Sequence, residues 1–119
     1  MRVMVLVKAT AESEAGHMQE LWSAKMMAAM GRFNDELRAA GVLLMAEGLA
    51  ASSAGKRVAF DGDARTVSNG PFPNPGDLVA GFWLWDVPDM EAAVDWVKRC
   101  PNPMPGPSVI EIRPLHGSA

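Results

Sequence analysis

The strongest constraint on this chain is a change of hydrophobic period. Residues 2–8, RVMVLVK, alternate and are bounded by polar residues, the pattern of a strand. From about His17 the repeat lengthens. Trp22, Met26, Met30, Phe33, Leu37 and Ala40 are spaced by four, four, three, four and three, which draws one stripe down a helix. Gly41 follows, where a helix commonly ends in a left-handed residue. Residues 42–49 are apolar on both faces until Glu47, which predicts a strand buried on both sides. Ser52, Ser53 and Gly55 break it, and residues 56–60 and 64–67, joined by Asp61-Gly62-Asp63, read as a short hairpin. The stiff segment SNGPFPNP then leads into a strand at 77–86 carrying Phe82, Trp83 and Trp85. Asp89 is placed to cap a second helix whose buried face is Met90, Ala93, Val94 and Val97, and Pro101 ends it. After the turn NPMPGP, residues 108–113 form the last strand. Strand, helix, strand, hairpin, strand, helix, strand is the order of an α+β, ferredoxin-like split β-α-β sheet with an extra small hairpin.

Counting faces extends this reading. Two helices cover one side of a four-stranded sheet, yet strands 42–49 and 78–85 are apolar on both sides. A second copy packing sheet to sheet is the simplest cover, so a homodimer is expected. With 119 residues and 49% apolar against 21% charged, the chain fits one globular domain. Its net charge of −3, with basic residues scattered, argues against direct nucleic-acid binding. The apolar run near the N-terminus, Val3 to Val7, is shorter than a secretory core, and no run is long enough to span a membrane. The single cysteine, Cys100, suits a reducing compartment, and a cytoplasmic setting is expected.

Several motifs in order carry a family resemblance: AEGL at 46–49, SNGPF at 68–72, LVAGFWLWDV at 78–87, AAVDWVKRCPNP at 92–103 and EIRPL at 111–115. The chain resembles the YCII-related family, in its DGPF (DGPFAETKE) branch, over nearly its whole length, 1–119. The resemblance implies a ferredoxin-like fold of the dimeric α+β barrel superfamily. It also implies relatives encoded near, or joined to, extracytoplasmic-function sigma factors, and a few small cofactor-free enzymes in the wider family. The family's Asp in DGPF is Asn69 here, and the charged stretch after the Phe is Pro73-Asn74-Pro75-Gly76-Asp77. Where the resemblance implies a His–Asp pair with its His on the first helix, this helix offers Met26, Met27 and Met30. An Asp carboxylate serves as a base and an Asn amide does not.

Glu47 is the candidate catalytic carboxylate, an acid at the end of an apolar strand; its structural alternative is a pair with Arg113 or a cap on exposed backbone. Met26, Met27 and Met30, with Phe33 and Trp22, form either a pliable pocket or ordinary core. Asn34 beside the stripe either orients a ligand's polar atom or faces solvent. Trp83 and Trp85 share one strand face, and Phe72 is aimed by its proline-bracketed loop, which is either a ligand lid or a rigid connection. Met30, Asn34, Phe72 and Trp83 are therefore the expected ligand-binding residues. Cys100 follows Lys98 and Arg99 but lies at a helix C-terminus, where the dipole disfavours a thiolate.

No metal or cofactor is implied. His17 and Glu20 lack further ligands; Asp61-Gly62-Asp63 starts like a calcium loop, but its twelfth position is Phe72; and Gly55-Lys56 lacks the rest of a phosphate loop. Two functional readings follow. One is a dimeric protein that binds a small apolar or aromatic molecule, with cofactor-free acid/base chemistry at Glu47. The other is a non-catalytic regulatory or interaction module linked to sigma-factor-type transcription control.

Overall fold

The computed structural model describes residues 1–16 and 22–117. Strand β1 spans Arg2–Lys8, β2 Leu43–Gly48, β3 Lys56–Asp61, β4 Ala64–Asn69, β5 Val79–Asp86 and β6 Ile110–Pro114; helix α1 spans Ala11–Glu14, α2 Ala24–Ala39 and α3 Met90–Lys98. The main sheet has the order β2-β5-β1-β6, with antiparallel neighbours throughout, and β3-β4 form a separate ribbon. β1 and β2 flank β5 across helix α2, and β5 and β6 flank β1 across α3. That double split β-α-β is the ferredoxin-like α+β fold.

The expected helix begins later than its stripe. Ser23 caps α2 by accepting from the Met26 N–H at 3.1 Å, so Trp22 lies outside the helix; the expected start at His17 falls outside the described residues. At the other end Gly41 takes φ 74°, its N–H donates to Arg38 O and that of Val42 to Leu37 O, a Schellman stop. Of the stripe, Met30, Phe33 and Leu37 are buried, while Ala40 is the exposed C-cap. Asp89 caps α3 by accepting from Ala92 N–H at 2.8 Å, as the sequence predicts. Val94 departs from expectation and is exposed; Met90, Ala93 and Val97 pack on the core as expected, joined by Trp96.

The register separates two faces. Val3 pairs with Trp85, Val5 with Trp83 and Val7 with Gly81, and all six are buried under the helices. Phe33 meets Trp83 and Trp85 edge-on, with ring centroids 6.0 and 6.3 Å away. The opposite face carries Met4, Leu6, Phe82 and Leu84, only partly buried, and Met45 at 47% exposure. Strand β2 is thus not buried on both sides within the chain. It is an edge strand, and Leu44, Met45 and Leu49 are about half exposed.

The hairpin stands away from this body. Gly62, at φ 56°, opens its two-residue turn, and Val58, Phe60 and Val67 on one face are exposed. The radius of gyration is 15.9 Å, against about 13.5 Å for a compact chain of this length. Its base is anchored through one carboxylate. Glu14 accepts from both the backbone N–H and the hydroxyl of Ser52, and Ser52 Oγ in turn accepts from Phe72 N–H at 2.9 Å. Gly70 packs so closely on the Ser52 carbonyl that a Cβ there would lie 1.7 Å from its oxygen.

Candidate functional site

A cavity of about 790 Å³ opens between α2 and the β2–β5 side of the sheet, a size that suits a small-molecule ligand. Its existence follows from side-chain size. The helix-facing positions of β2 and β5 run from Leu43 and Trp85 through Ala46 and Trp83 to Gly48 and Gly81. The bulky end fills the space under the helices, and at the glycine end no described side chain fills it. Met27, Met30 and Asn34, spaced three and four apart on α2, form one wall; Trp83, Val7 and the small residues form the floor. Trp22 and Pro103 form the far wall, held together by a 2.8 Å hydrogen bond from Trp22 Nε1 to the Pro103 carbonyl. Pro103 is presented by the NPMPGP turn, in which Asn102 Oδ1 accepts from Met104 N and Ser108 Oγ.

Asn34 is positioned rather than solvated. Its Oδ1 accepts a 2.8 Å hydrogen bond from Trp83 Nε1, the indole that forms the floor. Glu47 pairs in register with Phe82 on the outward face of the sheet, so it meets only the cavity rim, and it is exposed. The Arg113 pair considered from sequence does not form. β2 and β6 are opposite edges of the sheet, and Arg113 donates to Glu111 at 3.2 Å.

Three of the five expected site residues therefore come together on the helix-facing side, Met30, Asn34 and Trp83, while Glu47 meets only the rim from the outward side. Phe72 does not line the cavity. The Glu14–Ser52 anchor holds its backbone at the hairpin base, where the Arg57 guanidinium stacks 4.0 Å above its ring. Asn69 is there too and accepts from Lys56 Nζ at 2.5 Å. Met26 and Phe33 also lie off the lining, whereas Gly48, Gly81 and Pro103 are wall residues that sequence reasoning missed. The signal was present, as glycines at inward positions of a strand otherwise lined by Trp.

Cys100 is remote from the cavity. Burial pushes its thiol up to about 12, and its S–H donates to the Pro101 carbonyl, so it is no nucleophile at neutral pH. The His17–Glu20 pair lies outside the described residues.

A YCII-related domain matches residues 1–116, nearly the whole chain. The chain belongs to the YCII-related family. No curated protein matches it, so the site of this YCII-related protein rests on its own geometry. Among the described residues, no helix is long and apolar enough to cross a membrane.

Proposed function

We propose that this YCII-related protein is a homodimer of the DGPF branch, in the dimeric α+β barrel superfamily, that binds a small apolar or aromatic molecule between α2 and the sheet. The carrying observation is the 790 Å³ cavity, with Met27, Met30 and Trp83 as apolar walls, Asn34 as a polar group held in the wall and Glu47 at the rim. Glu47, at the rim, is the one ionisable residue among the described lining residues and would serve cofactor-free proton transfer only to a ligand that extends to the sheet edge. The homodimer is supported by the partly bare sheet face of Met4, Leu6, Met45, Phe82 and Leu84. A cytoplasmic setting accords with the single, unreactive thiol.

Native mass spectrometry of the purified protein tests this, with a dimer and a co-purified small molecule expected. Gly48→Val is the control, since a Cβ at Gly48 meets nothing within 4 Å and so adds bulk to the cavity without a clash. It is expected to weaken binding of an apolar probe at least tenfold, roughly the worth of one or two displaced methylenes, while the melting temperature holds. Unchanged binding would sink the cavity reading.

The alternative, a non-catalytic regulatory module linked to sigma-factor-type control, is favoured by one observation. The position of the family Asp is an Asn bonded to Lys56 away from the cavity. Loss of turnover in Glu47→Gln, with dimerisation intact, decides for chemistry; the absence of turnover in wild type decides for the module.

A further inference from the structure

An asparagine offers a ligand either an acceptor or a donor, and which one depends on how its amide is turned. Here the indole decides. Trp83 Nε1 carries a hydrogen and has no lone pair to accept with, so the amide oxygen must face it at 2.8 Å. The amide Nδ2 is thereby turned away from Trp83, and among the described residues it has no hydrogen-bond partner. Asn34 sits in the cavity wall between Met30 and the Trp83 floor, so this is an N–H donor on an apolar wall. The indole bond also polarises the amide and strengthens its remaining N–H groups as donors. No described lining residue is cationic, so nothing there offsets the charge of an anionic ligand.

From this polarity we infer that the site selects neutral aromatic compounds bearing a carbonyl, with the C=O accepting from Asn34 Nδ2, and that Trp83 is the specificity-determining residue that holds the amide in this sense. The inference rests on the cavity being a ligand site, and it names the ligand class for that site. A pure hydrocarbon fills the walls but leaves the Nδ2 donor dry and unpaired. A donor with no acceptor atom, such as an ammonium or an indole N–H, meets the wrong end of the amide. A carboxylate pairs with Nδ2 but meets no cationic group among the described lining residues.

An isosteric pair of probes tests it: 2-acetylnaphthalene, which carries the carbonyl, and 2-isopropenylnaphthalene, in which a CH₂ replaces the oxygen. Both are titrated by calorimetry into wild type and Asn34→Asp, a variant that keeps an oxygen for Trp83 and removes the N–H donors. The preference for ketone over alkene is expected to fall by about five- to tenfold or more in Asn34→Asp, the worth of one hydrogen bond. The carbonyl stretch of the bound ketone provides a second readout on wild type alone, and it is expected at lower wavenumber than in an alkane solvent. A ketone-to-alkene ratio that stays within twofold between the two proteins overturns the inference while leaving the cavity a binding site. An unshifted stretch overturns it equally, even if Asn34→Asp proves unstable. If neither probe binds wild type, the cavity reading fails and the inference falls with it.

Discussion

Single residues decide what this site contains. The cavity is a consequence of Gly48 and Gly81 standing where Leu43 and Trp85 stand farther along the same two strands. Gly81 serves a second purpose, because a Cβ there would approach the Glu47 carbonyl to 3.1 Å and press β5 away from β2. Cys100 illustrates the opposite case, a chemically suggestive residue that its surroundings silence. Its folded-state thiol ionises at about 12 rather than at its ordinary 9.0 because burial penalises the thiolate. The folded state therefore holds its proton more tightly than the unfolded state. The resulting stability is fully present below about pH 9 and is lost as pH rises from there toward 12. Urea unfolding at pH 8 and pH 10.5 is expected to show this loss, and Cys100→Ala is expected to remove that part of the slope. Alkylation by iodoacetamide at pH 8 should proceed only under denaturing conditions.

At the scale of elements, the helices were legible because their signals are local. The Asp89 cap, the Gly41 stop and the four-three stripe all act within a turn or two of themselves. α1 was not legible, since AESE carries no apolar stripe and is held by a Thr10–Ser13 capping box. The prolines make the loop legible as a stiff segment, either lid or connection, but not as an anchored one. Its fixed point is Glu14, 38 residues before Ser52 in the chain, and no periodicity reports such a contact. The anchor is testable at Gly70. Gly70→Ala places a Cβ against the Ser52 carbonyl, and unfolding by urea is expected to show a loss of roughly 1–3 kcal/mol. Hydrogen exchange should quicken first in β3 and β4, ahead of β1 and β5. A variant as stable as wild type would mean that the hairpin base yields without strain.

For the molecule as a whole, the two faces of the main sheet have unequal fates. The inner face is closed by α2 and α3 around Phe33, Trp83 and Trp85. The outer face and the projecting hairpin, with Phe60 at 74% exposure, leave apolar surface that a second copy would cover in the proposed homodimer. Leu84 lies on that outer face, away from the cavity lining. Leu84→Lys is expected to convert the dimer to a monomer in light scattering at micromolar concentration, with far-ultraviolet dichroism unchanged. Wild type scattering as a monomer would remove the case for the homodimer.

The sequence by itself determined the order of the strands and the two longer helices, the ferredoxin-like arrangement and family membership, because alternation, helical spacing, caps and contiguous motifs are all short-range properties of the chain. It also placed Met30, Asn34 and Trp83 as candidates without saying why they should meet. The tertiary structure alone decided that β2 is an edge strand, that Phe72 belongs to the hairpin base, and that Asn34 turns its oxygen to Trp83. Each of those depends on strand order and packing between residues far apart in the chain. A cavity is the extreme case, since it is formed by what two strands and a helix jointly leave unfilled, and no single segment encodes that.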